Sequence, residues 1–222
     1  LNSWVQGRPQ PLTIYGPHGV DEITDAVNAG YRLDRIYRIG HHGKDLLPPA
    51  LGVLEHKTIE PGVILEDGEL KITAYVGEHP PIEPAVGYRF DYRGRSVVIS
   101  GDSNVNDNTL KIVDGADLLL HDALSLPTTS ALANALGAAG QSRQSQIVTD
   151  VLDYHASTDS LVELGEKSNV GMVAFYHLVP VPPTALLKDV FLRGAPDNFL
   201  LTEDLMWFEL PIESDDIIVN RP

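Results

Sequence analysis

The stretch that most constrains this chain is Ser96-Val97-Val98-Ile99-Ser100-Gly101-Asp102-Ser103, an apolar run that stops abruptly on a glycine and a carboxylate. Such a run reads as a buried strand whose C-terminal end opens into a loop, the place where α/β sheets carry their chemistry. Other runs end in a comparable way. Leu118-Leu119-Leu120 leads into His121-Asp122, Val173-Ala174-Phe175-Tyr176 leads into His177, and Lys71-Ile72-Thr73-Ala74-Tyr75-Val76 is soon followed by His79. Imidazoles and carboxylates gathered at strand ends point to a metal site.

Around these runs the pattern predicts an α/β chain. Pro11 to Tyr15 reads as a strand and Val20 to Ala29 as a helix closed by Gly30, with Val20, Ile23 and Val27 on one face. Residues 31 to 62 read as irregular. Val63 to Leu65, Leu70 to Val76, Val86 to Tyr92 and Ser96 to Ser100 form a β-meander turned at Asp67-Gly68 and Arg93-Gly94. Beyond Asp102 helices and strands alternate: helix near Leu110 to Val113, strand Asp117 to His121, helix Gln144 to Tyr154 with Ile147, Val148, Val151 and Leu152 inward. A helix capped by Ser157 or Thr158 follows, then strand Val173 to Tyr176, a helix opened by Pro182-Pro183, and last strands at Phe199 to Leu201 and Met206 to Leu210. The small, Ala- and Gly-rich residues 126 to 143 read as a mobile loop or lid.

Composition narrows the partners. The 222 residues hold 31 acidic and 16 basic side chains, a formal charge of −15. That balance argues against a polynucleotide substrate, which is gripped by a basic face, although a dinuclear zinc site would add positive charge locally. Cysteine is absent, which excludes disulfides and thiolate zinc sites and leaves cytoplasm and periplasm equally open. No apolar run of about 18 residues occurs, so no membrane span is predicted.

Six pieces then follow one another in a familiar order: Pro11 to Gly19, Gly77-Glu78-His79, Val86 to Phe90, Ser100 to Ser103, Ala116 to Asp122, and His177-Leu178-Val179-Pro180. Each is weak alone. In sequence they resemble the metallo-β-lactamase superfamily, and most of all its tRNase Z and arylsulfatase-like branch, from about Leu12 to Leu210. The resemblance implies an α/β fold, the αββα sandwich, as a single metallo-hydrolase domain over residues 1–222 with a zinc pair at one edge. In that family His79 is a ligand of one metal, Asp102 the carboxylate bridging both, and His177 a ligand of the second. Imidazole and carboxylate oxygen are good zinc donors, and a carboxylate can span two cations where an imidazole cannot.

The family's first metal motif, His-x-His-x-Asp-His, is not found in the chain. It is expected upstream of Leu1, so that the chain represents the C-terminal two-thirds of the full fold. A further motif concerns proton transfer. His155-Ala156-Ser157-Thr158 and Asp122 match a histidine and acid of the tRNase Z-like branch, which implies that Asp122 orients His155 and that His155 protonates a leaving oxygen. The family residue at the acidic position is often Glu, one carbon longer.

Every one of these residues also has a plain structural role open to it. Asp102 could cap the next helix, His79 could lie in a loop beside Pro80-Pro81, His177 could be a strand-end histidine and His155 could close a helix. His121 should point to the opposite face of its strand from Asp122. His41-His42 reads as a surface loop, His18 approaches the site only by analogy, and His56 has no case.

The expected activity is hydrolysis of a phosphate or sulfate ester, with hydroxide on the metals attacking a small anionic ester. Endonucleolytic processing of tRNA ranks second, because the interval from Gly30 to His79 holds no glycine-rich or basic insertion and the charge is −15. A non-catalytic relic ranks third. A homodimer is expected by analogy alone.

Overall fold

The computed structural model describes residues 1–222. The backbone separates into two compact units, Leu1–Glu60 and Pro61–Pro222.

The first unit runs α1 (Asn2–Val5), β1 (Leu12–Gly16), α2 (Val20–Gly30), α3 (Arg32–His42), a 3-10 turn (Pro49–Gly52) and β2 (Leu54–Thr58). Strands β1 and β2 pair in parallel from Leu12 opposite Leu54 to Gly16 opposite Thr58. A parallel pair needs a crossover, and α2 and α3 lie in that connection. Asn28 fastens it: its amide donates to the Leu54 carbonyl at 2.9 Å and its oxygen accepts the Leu54 N–H at 2.9 Å. Trp4 is buried and donates its indole N–H to the Pro48 carbonyl at 3.1 Å. Helix α3 corrects the expectation that residues 31 to 62 are irregular. Its apolar residues Leu33, Ile36 and Tyr37 stand at helical spacing and stay exposed, so the helical period is present in the sequence. His41 and His42 therefore close a helix.

The second unit contains β3 (Gly62–Asp67), β4 (Leu70–Val76), β5 (Val86–Tyr92), β6 (Arg95–Ile99), α4 (Asp107–Val113), β7 (Leu118–Leu124), α5 (Leu126–Ala138) and α6 (Ser142–Asp150). It continues through α7 (Thr158–Lys167), β8 (Met172–Val179), α8 (Ala185–Phe191), β9 (Phe199–Leu201), β10 (Trp207–Glu209) and β11 (Ile218–Asn220). Strands β3 to β9 form one seven-stranded sheet in chain order, and β10 and β11 pair separately. Pairing is antiparallel from β3 to β6 and parallel from β6 to β9. The meander is thus as the sequence predicts. The turn between β5 and β6 holds Arg93 at φ 50° and Gly94 at φ 79°, the positive pair that suits a two-residue hairpin.

Two antiparallel steps return β6 to the direction of β4, and the parallel steps keep β7 and β8 in that direction. The C-terminal ends of β4, β6, β7 and β8 consequently open on one edge of the sheet, which is where the candidate residues lie. Behind that edge is a core of Val98, Leu119, Val173 and Phe175 from the sheet with Val113 of α4, Leu161 and Leu164 of α7 and Phe191 of α8. Gly87 is needed within this layer, because a Cβ there would run into the ring of Tyr75 across the β4–β5 pair.

Residues 126 to 138, expected as a loop or lid, form α5. The helix buries only Thr129 and Ala133, so it has no apolar face to betray it, while its alanines and leucines favour helix locally. Ile147, expected to face inward, is 52 % exposed on α6. No helix is long and apolar enough to cross a membrane.

Candidate metal centre

Each candidate side chain is delivered by a local device that can be traced to sequence. After β4, Gly77 brings the backbone against the next loop so closely that a Cβ would meet Ser103 Oγ at 2.7 Å. Ser103 Oγ accepts the Glu78 N–H at 2.8 Å, which fixes the residue just before His79. After β6, Gly101 has φ 68° and would place a Cβ 3.0 Å from the Val86 carbonyl, so glycine is required on both counts. This turn presents Asp102, whose carboxylate is free of any capping bond; helix α4 is capped instead by Asn106, which accepts from Asn108 and Thr109.

His177 is delivered by a β-bulge. Asp122 lies opposite Tyr176 while Ala123 lies opposite Leu178, leaving His177 as the extra residue, at φ 43°. A non-glycine side chain in this left-handed conformation is held at a cost of about 1–3 kcal/mol by its surroundings, and such residues cluster at functional sites. His155 comes from the segment before α7, whose N-cap Ser157 accepts the Ser160 N–H.

The structure brings these residues together. Donor atoms of His79, Asp102 and His155 lie within 4.8 Å of one another. His177 Nε2 is 3.4 Å from Asp102 Oδ2, and the His177 and His155 rings are 5.4 Å apart. His79 stacks beside Tyr154, at 4.8 Å between ring centres, and its Nδ1 is buried with no hydrogen-bond partner. The His79 and His177 imidazoles and the Asp102 carboxylate converging in this way beside the His155 ring, with one buried ring nitrogen unsatisfied, fit the donor set of a divalent cation. Asp102 and His177 are about half exposed, so the centre opens to solvent.

Beneath it sits a buried pair. His155 Nδ1 is 2.8 Å from Asp122 Oδ2, with Asp122 wholly buried. Asp122 Oδ1 accepts the Ser103 N–H at 3.1 Å and lies 2.9 Å from His121 Nδ1. Burial pushes the Asp122 carboxyl up, but the hydrogen bonds and charges of His121 and His155 outweigh it and hold it below the usual carboxylate range. Asp122 therefore stays anionic, and the shorter acid reaches its histidine. The expectation that His121 points away from Asp122 is corrected: its Nδ1 also meets the Asp122 carbonyl at 2.9 Å, and its Nε2 is buried without a partner. Strand alternation fixes where Cβ points, whereas χ rotation lets a ring turn back to its neighbour. Ser103 and Gly77 escaped the sequence reading as site residues, although both stand inside the quoted motifs. His41, His42, His18 and His56 take no part in the donor cluster.

No family model matches the chain. It is 30 % identical over 172 residues to ribonuclease Z of Mycobacterium avium, which covers 78 % of this chain and 56 % of that protein. The chain thus spans just over half the length of the first curated relatives it matches. Among solved structures, the metallo-β-lactamase fold protein YhfI of Bacillus subtilis aligns with a TM-score of 0.56 at 14 % identity, over 90 % of this chain and 66 % of that one. Zinc-bound PqqB of Methylobacterium extorquens aligns with a TM-score of 0.51 at 16 % identity, over 92 % of this chain and 64 % of the other. The sheet order and these similarities agree: the chain has the metallo-β-lactamase fold and is similar in sequence to ribonuclease Z over about half of that enzyme's length.

Proposed function

We propose that this chain carries the hydrolytic centre of a metal-dependent phosphodiesterase that cuts RNA in the manner the name ribonuclease Z implies, a tRNA precursor being the first substrate to test. The observation that carries the reading is the convergence of His79, Asp102 and His155 within 4.8 Å above a buried His155–Asp122 pair. The similarity to ribonuclease Z supports RNA over the small anionic ester preferred from sequence. That preference leaned on the lack of a glycine-rich or basic insertion between Gly30 and His79 and on the net charge of −15, which averages over a chain whose charge is unevenly placed.

His79, Asp102 and His177 would hold the metal, zinc being the first choice and a pair the expected number. Such ions supply Lewis acidity and lower the pKa of water to about 7. The chain's own residues then have distinct tasks. Asp102, on its glycine turn, offers a carboxylate with no competing cap. Asp122, held anionic, fixes the His155 ring through Nδ1, which leaves Nε2 to give its proton to the leaving ribose oxygen. Asp122 acts through His155 and is a positioning residue.

The test combines metal analysis with cleavage of a tRNA precursor by the zinc-loaded protein, using a small aryl phosphodiester as control. Asp102→Ala is expected to lose metal and turnover together. His155→Ala is expected to keep the metal and to lower kcat by about 10²–10⁴-fold, the range typical of a lost general acid. Unchanged kcat in His155→Ala removes it from the mechanism, and hydrolysis of the aryl diester without RNA cleavage returns the small-ester reading.

A further inference from the structure

A second cluster of charge lies wholly within Leu1–Glu60. Arg8, Arg35 and Arg38 line one open cleft of about 530 Å³, with Tyr31, Asn28 and one carboxylate, Asp34, also on its walls. All three arginines are half-buried. Of the three, only Arg38 has an acidic partner, Asp34 Oδ2 at 2.7 Å. Arg8 is held by neutral acceptors: the Ser3 hydroxyl and the carbonyls of Gln10 and Leu51. Arg35 donates a single bond, to the Asn28 carbonyl at 2.6 Å.

Two consequences follow. The carbonyl bonds fix both guanidinia against the wall of the cleft, so little side-chain freedom is left to lose when a ligand arrives. They also leave N–H donors unused, since a guanidinium has five. Asp34 is taken up by Arg38, so Arg8 and Arg35 present positive charge that no carboxylate pairs, on planar forks of donors, the arrangement suited to a phosphate group. The cleft falls in the size range of ligand sites, and Tyr31, 52 % exposed, offers a ring on which a base can stack. The setting matters because this unit is nearly neutral: it holds six basic and seven acidic residues in a chain of net charge −15.

We propose that this cleft is an RNA-binding subsite, separate from the residues of the metal centre, in which Arg8 and Arg35 hold a backbone phosphate and Tyr31 stacks on the adjoining base. The assignment of RNA as ligand rests on the proposed function; the phosphate chemistry rests on the cleft.

The experiment is a fluorescence anisotropy titration of the protein with a labelled single-stranded RNA of about twelve nucleotides. EDTA is present and ionic strength is low, so the metal centre is silent. Arg35→Glu is expected to weaken binding at least tenfold, and Arg35→Gln, which removes one phosphate contact, to lower the salt slope by about one. Arg35 makes one main-chain bond, so folding is checked by circular dichroism; Arg38→Gln serves as a second variant and is expected to weaken binding less. Millimolar AMP is expected to displace the RNA, and adenosine, which lacks phosphate, is not. Unchanged affinity in a folded Arg35→Glu protein, or displacement by adenosine as strong as by AMP, overturns the proposal. Failure of RNA cleavage with this binding intact overturns the function and leaves the cleft standing, while cleavage with no effect of Arg35→Glu does the reverse.

Discussion

The Pro61–Pro222 unit and the Leu1–Glu60 unit divide burial and charge unequally. The larger one buries a contiguous core around Phe175, Leu119 and Leu161 and sets wholly buried polar residues, His121 and Asp122, among it. The smaller buries Trp4, Thr24, Leu47 and Ile59 and leaves Leu33, Ile36 and Tyr37 on α3 exposed. Charge divides the other way: ten basic residues face twenty-four acidic in the larger unit, against six and seven in the smaller. The acidic unit carries the candidate metal centre, where bound cations would offset the excess, and the nearly neutral unit carries the arginine cleft. A single net charge hides this, so it is a poor guide to whether a polyanion can be received.

Substitutions at matched positions test whether the two units differ in this way. The largest effect is expected from Phe175→Ala, which empties a fully buried site and should cost about 3–5 kcal/mol in urea denaturation, whereas Ile36→Ala on exposed α3 should stay within about 0.5 kcal/mol. Equal costs would show that burial does not separate the units. Next, Gly87→Ala forces a methyl against the Tyr75 ring and should destabilise by about 1–3 kcal/mol. Gly30→Ala, at the end of α2 with open space around it, should instead stabilise by about 0.5–1 kcal/mol.

Acidification should give a smaller change, confined to the larger unit. Because folding holds the Asp122 carboxyl below its unfolded value, the stability this provides is complete above the unfolded pKa of about 4 and is lost as pH falls through the lower folded pKa. Thermal melts of Asp122→Asn should therefore show a flatter acid limb than the wild type, and an identical limb would remove Asp122 as the source. The smallest effect lies in hydrogen exchange of α3 amides, expected to be faster than those of β7 and β8 and unaltered by Asp122→Asn.

The comparison also explains what could be read from sequence. Strands β4 to β8 were legible because each is a run of apolar or alternating residues closed by Gly, Asp or His, and the convergence of His79, Asp102, His155 and His177 follows from the ordered motifs. Helix α5 was not, since it has no apolar face, whereas α3 carries Leu33, Ile36 and Tyr37 at helical spacing and could have been read. The turn of His121 towards Asp122 depends on a rotamer, and the arginine cleft depends on carbonyls of Gln10, Asn28 and Leu51 that carry no sequence signature.

The extra residue in β8 makes the site a matter of counting as well as of chemistry. Tyr176 and Leu178 answer consecutive positions of β7, so His177 reaches the sheet edge only because its strand is one residue longer than its neighbour can match. Shortening β8 by that one unit, even while keeping a histidine next to Tyr176, would return the imidazole to the ordinary alternation of the pleat and turn it away from Asp102. Sequences that share every motif here but differ by a single gap between Phe175 and Pro180 should accordingly be sorted apart from this chain.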